Sequence, residues 1–186
     1  LQLSDWNLHI LRSSIVLSNI AQLIMERINV QDYKASTAVF QIANLGGSRS
    51  RVLELHAYLS SGPILVVTAP TTLAVYNSSF ESVVIESGND PAVAFSGDGT
   101  LELYNCSFTF NQSPFAGAVS IKRGNLRVFN SYFESNTADT SGGAINAGSC
   151  PLLEVQDSEF SLNLANLHGG AIHTECDVIA ATNVKF

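Results

Sequence analysis

In the second half of the chain, apolar and polar positions alternate in a frame that keeps returning: apolar, any, apolar, any, Asn or Asp, any, any, Phe. Residues 73–80, 101–108, 126–133, 153–160 and 179–186 all fit it, and their phenylalanines are separated by 28, 25, 27 and 26 residues. The alternation is the period-2 mark of a strand with one buried face. Between copies stands a second apolar element, Gly117-Ala118-Val119, Gly142-Gly143-Ala144-Ile145 and Gly169-Gly170-Ala171-Ile172. It reads as a short strand entered through a glycine corner, where the backbone needs positive φ or close approach. The period is too short for a four-stranded propeller blade, and no copy holds an amphipathic helix. Self-similarity on this scale indicates stacked repeats. The predicted fold is all-β, a single-stranded parallel β-helix of about seven coils of about 25 residues, rising roughly 4.8 Å per coil to a rod of roughly 35 Å.

A parallel coil places equivalent residues above one another. Phe80, Phe108, Phe133, Phe160 and Phe186 are therefore expected to stack inside. Asn111, Asn136 and Asn163 each follow a Phe by three places and are expected to form an amide ladder at a corner. The first half is less regular. Residues 1–8 fit the frame, with Asp5 at the Asn place and Leu8 at the Phe place. Residues 21–28 fit loosely, ending on Ile28, and residues 52–59 fit with His56 at the Asn place and Leu59 at the Phe place. Ala38-Val39 then stands where Ala-Ile stands later, and residues 44–51 read as an inserted loop. Residues 14–26 allow a helical as well as a strand period, and the strand reading is preferred because the later repeats demand it.

The pair Phe-x-x-Asn and Gly-Gly-Ala-Ile resembles the repeat of chlamydial polymorphic outer-membrane proteins, a type of repeat also found in large secreted right-handed β-helix proteins. The resemblance is clear over residues 101–186 and weaker over 73–100; the first unit has only Gly117-Ala118-Val119 in place of Gly-Gly-Ala-Ile. It implies a right-handed parallel β-helix in a passenger or surface module with structural or adhesive duty. It implies no catalytic residues, and separately no cofactor is expected.

Composition narrows the setting. At 186 residues the chain is read as one domain, 1–186, and its 46% hydrophobic and 13% charged residues describe a folded protein. A net charge of −7, with nine scattered Lys and Arg, argues against nucleic acid and against anionic membrane surfaces. No run of 18 apolar residues is present, so no membrane insertion by this segment is expected. Low charge with abundant Ser, Thr, Asn and Gly fits an extracellular or cell-surface location. A chain ending on an inward Phe is expected to continue or to stack on a partner, either another subunit or a further part of the same polypeptide.

Candidate chemistry falls at five places. A carbohydrate-active β-helix, lyase or hydrolase, would need clustered carboxylates. Glu102 and Glu154 share one outward place but are separated by Arg127, so that column reads as alternating charge. His168 and His173 flank a glycine corner without a third ligand at metal-site spacing, and no metal is expected. Cys150 and Cys176 occupy the same place on consecutive coils, within disulfide range, whereas Cys106 is left unpaired. The sequons at Asn77, Asn105 and Asn111 all fall at ladder places expected to face inward. They read as by-products of the repeat, with glycosylation as the competing reading. On the outward side, Tyr76, Tyr104 and Phe129 form a predicted aromatic stripe, a candidate contact surface for a partner or a glycan. The leading functional expectation is a non-catalytic structural or adhesive module, and the alternative is a carbohydrate-active enzyme.

Overall fold

A computed structural model describes residues 1–9, 13–45 and 49–186, and among these residues the regular elements are strands, without a helix. They wind into a parallel β-solenoid of about seven coils. The largest sheet runs through Gln2–Ser4, Ile24–Gln31, Ser50–Tyr58, Thr72–Tyr76, Thr100–Tyr104, Asn125–Phe129, Leu152–Gln156 and Val178–Thr182, each paired in parallel with the next. A bend carries the chain into a second row, whose separate strands include Ser79–Glu81, Ser107–Thr109, Tyr132–Glu134 and Glu159–Ser161. A further face is built from Ile15–Ile20, Phe40–Leu45, Leu65–Val67, Val93–Phe95, Val119–Ile121, Ile145–Ala147 and Ile172–Thr174. Residues 15–20 and 24–31 being strands settles the helix-or-strand ambiguity of that region, and the inward apolar alternation serves the strand.

The bend between the first two rows is one column of left-handed residues: Asp5, Arg27, Glu54, Asn77, Asn105, Asn130, Asp157 and Asn183, all with φ between 48° and 60°. Asn and Asp adopt this conformation most readily. That preference is why the fifth place of the frame reads Asn or Asp in the regular coils. A second left-handed column, Asp32, Leu59, Ser82, Phe110, Ser135 and Leu162, closes the second row.

The register corrects the reading of the first half. Phe80 pairs with Ala57, Ala57 with Val30 and Val30 with Leu8, so Val30 and Ala57, not Ile28 and Leu59, hold the Phe places. Leu59 instead lies exposed at the second corner. Likewise Val39-Phe40, not Ala38-Val39, aligns with Ala-Ile, because Phe40 pairs with Leu65 and that column continues to Ile145. Of the supposed insertion at 44–51, residues 44 and 45 end one strand and 50 and 51 begin another, whereas 46–48 lie outside the described residues.

Inside, Phe80, Phe108, Phe133 and Phe160 stack with ring centroids 4.7–4.8 Å apart and planes within 6° of parallel. Phe186 continues the stack at 5.6 Å and is 80% exposed. Beside them, Asn111 Nδ2 donates to Asn136 Oδ1 at 2.8 Å and Asn136 Nδ2 to Asn163 Oδ1 at 2.9 Å. The same oxygens accept the backbone N–H of Asn111 and of Asn136, and the second amide hydrogens reach Phe80 O and Phe108 O. Every rung thereby satisfies backbone groups that a bend leaves without strand partners.

The glycine corner has two separate requirements. Gly142 is left-handed (φ 70°), whereas Gly143 needs space: a Cβ there would lie 1.9 Å from Gly170 O on the next coil. Gly117 occupies the same place one coil earlier, where a Cβ would meet Gly143 O. Bare backbones therefore pack coil on coil at this corner.

Candidate functional site

On the outer surface of the largest sheet, alternate residues form two parallel columns. One reads Ala74, Glu102, Arg127, Glu154, Ala180 and the other Leu53, Tyr76, Tyr104, Phe129, Gln156, Thr182. In the first, Arg127 lies between two carboxylates, with Nε 3.2 Å from Glu154 and Nη1 4.0 Å from Glu102. Glu102 is largely buried and is also engaged by Arg49, whose guanidinium crosses two coils to reach it and contacts the Tyr76 hydroxyl at 3.4 Å. The small side chain of Ala74 lies on the column between them. Two guanidiniums therefore converge on the Glu102 carboxylate, which is taken up in ion pairs across the column. Sequence alone placed Glu102, Arg127 and Glu154 in line. The role of Arg49 is not legible in the sequence, because a contact across 53 residues leaves no local pattern.

In the second column the predicted stripe is present. Tyr76, Tyr104 and Phe129 are half-buried and stack with centroids 4.9 and 5.0 Å apart and planes 8° and 12° from parallel. Tyr104 thus has both ring faces covered. What the column presents outward is ring edges and the two tyrosine hydroxyls. A sugar stacks on an aromatic face, and at Tyr104 both faces are taken by neighbouring rings.

The three sequon asparagines belong to two different kinds of place, which overturns the expectation that all face inward. Asn77 and Asn105 are exposed members of the first left-handed column, and Asn105 Nδ2 donates to Asn77 Oδ1 at 3.2 Å. Asp157 is exposed in that column too and accepts from Asn183 Nδ2 at 2.6 Å. Asn111 alone of the three is fully buried, in the inner ladder. The left-handed preference of Asn at the end of a strand was the signal that separates the two kinds.

Cys150 and Cys176 form a disulfide between the last two coils, with Cα atoms 4.4 Å apart. Such a bridge persists in oxidising compartments. His168 and His173 lie with ring centroids 5.8 Å apart, and His173 Nε2 is 3.9 Å from Glu175. Among the described residues no three His, Cys, Asp or Glu side chains gather as a metal site.

Cys106 is buried, and desolvation pushes its thiol up to about 11. It stands in a column with Ser78, Ser131 and Ser158. Each of these hydroxyls donates to the carbonyl two residues earlier (2.8–2.9 Å) and accepts a backbone N–H from the preceding coil (3.0–3.1 Å). Sulfur makes the same contact to Tyr104 O at 3.4 Å and is a weaker acceptor. Cys106→Ser is therefore expected to raise stability by up to about 1 kcal/mol, read as a higher urea midpoint at unchanged slope. A lower midpoint would mean that the volume of sulfur matters more than the hydroxyl.

A family model described as the Chlamydia polymorphic membrane protein (Chlamydia_PMP) repeat matches residues 130–148. That stretch runs from the left-handed Asn130 through Phe133, Asn136 and the Gly142-Gly143 corner to the end of Ile145–Ala147, most of one coil. No curated protein and no solved structure matches the chain.

Proposed function

We propose that this β-solenoid is a non-catalytic extracellular module with a structural or adhesive role in a cell-surface assembly. The observation that carries this reading is the use of the outward acids: Glu102 and Glu154 are tied to Arg49 and Arg127 as lateral clasps between coils. Similarity to a polymorphic membrane protein repeat over one coil supports a surface setting, and the disulfide supports an oxidising one. On this reading the stripe of Tyr76, Tyr104 and Phe129 is the contact surface. Its partner is another subunit or a further part of the same polypeptide, since covered ring faces favour a protein over a glycan.

The test is chemical. The purified chain, incubated with polygalacturonate with and without calcium, is expected to release neither unsaturated nor reducing ends. Release that disappears in Glu102→Gln or Glu154→Gln would make the chain a polysaccharide-cleaving enzyme and overturn the proposal.

A further inference from the structure

We propose that Asn77 and Asn105 are N-glycosylation acceptors and that Asn111, the third asparagine in an Asn-x-Ser triplet, is not. The three triplets, Asn77-Ser78-Ser79, Asn105-Cys106-Ser107 and Asn111-Gln112-Ser113, are equivalent as motifs. They differ in what the fold does with each amide.

Asn77 and Asn105 occupy a left-handed bend between two strands, with φ of 48° and 52°, and are exposed. Asn105 Nδ2 gives one hydrogen to Asn77 Oδ1. Its other hydrogen can be exchanged for a sugar with that bond intact. At Asn77 it is Oδ1 that accepts from Asn105, which leaves Nδ2 to carry the sugar. Asn111 offers no such freedom. It is 0% exposed, and its Nδ2 spends both hydrogens inside the solenoid, on Phe80 O at 2.9 Å and Asn136 Oδ1 at 2.8 Å. A sugar on this nitrogen would remove one of those bonds and place a hexose where the adjoining coils touch.

The modification needs a transferase and a polyprenyl-diphosphate-linked oligosaccharide as donor. A bond forms between Asn Nδ2 and the anomeric carbon while the bond from that carbon to the diphosphate oxygen breaks. The electron pair leaves with the polyprenyl diphosphate, and one Nδ2 proton passes to a base of the transferase, with no change of oxidation state. The Cys150–Cys176 bridge suits the oxidising lumen in which such transfer takes place. Sugars at this bend would flank the aromatic column on the side away from Glu102 and Arg127, leaving the charged side of the stripe open.

The bend supplies its own controls. Asn130 shares the conformation, with φ 48° and an exposed side chain, but has Tyr132 two places on, so it forms no triplet. The chain would be secreted from eukaryotic cells that perform N-glycosylation. The folded, protease-resistant fraction is then treated with peptide N-glycosidase in ¹⁸O-water and its peptides are mapped by mass. Labelled Asp is expected at 77 and 105, with unlabelled Asn at 111. Tyr132→Ser, which completes a triplet at Asn130 on an outward strand place, is expected to add a labelled site there. Unmodified Asn77 and Asn105 in the folded fraction would overturn the proposal, as would label at Asn111. Absence of label at Asn130 in folded Tyr132→Ser would remove the role assigned to the bend.

Discussion

Phe133→Ala is expected to lower the unfolding free energy by about 3–5 kcal/mol, the range for emptying a large aromatic from a packed core. Phe133 is completely buried, between Phe108 at 4.8 Å and Phe160 at 4.7 Å. Each neighbour is held by its own strand pairs, so neither can move into the gap without breaking ladder bonds. The loss therefore contains the transfer term, the cavity term and two aromatic contacts worth about 0.5–1.5 kcal/mol each. Phe186→Ala is the control. That ring is 80% exposed and touches the stack on one side at 5.6 Å, so the same change should cost well under half as much. Denaturant unfolding of both variants measures the contrast. Equal losses would mean that the stack is not the core.

Asn136→Ala is expected to cost about 3 kcal/mol. Its amide oxygen accepts both Asn111 N–H and Asn111 Nδ2, and its own nitrogen donates to Phe108 O and to Asn163 Oδ1. Truncation leaves Asn111 N–H and Phe108 O buried without those partners, at about 1–3 kcal/mol for each group that finds no other. Asn136→Asp sharpens the test. A carboxylate keeps the two acceptor bonds but cannot donate to Phe108 O or Asn163 Oδ1, so its stability should fall as pH rises and the buried acid is forced to ionise. The sign follows from burial, which raises the folded-state pKa of such a group above its unfolded value. Stability is then retained at low pH and lost above the unfolded pKa. A flat profile would mean that the site is wet.

The coils from 73 onward were legible because three independent cues coincide there: the period-2 alternation, an Asn or Asp at the bend, and a Phe three places further on. Coils 2 and 3 lack the last two cues. Their bend residues are Arg27 and Glu54, and their Phe places hold Val30 and Ala57. What remains is alternation, and alternation is blind to a slip of two residues, because such a slip keeps every apolar side chain inward. Both misplacements, Ile28 for Val30 and Leu59 for Ala57, are slips of this size. The surface divides in the same way. The aromatic stripe and the Glu102–Arg127–Glu154 column are periodic and could be read in advance. The clasp by Arg49 and the outward turn of Asn77 and Asn105 depend on a long-range contact and on backbone handedness, neither of which hydropathy records.

The central claim is that the core is a linear stack in which each coil is held by its immediate neighbours, as in other solenoids. Native-state hydrogen exchange on Phe133→Ala, residue by residue along the chain, tests it most directly. The account predicts that protection falls for amides in residues 101–186 and is retained in residues 1–59. A uniform loss of protection from Leu1 onward would contradict it, because that is the response of one cooperative globular core.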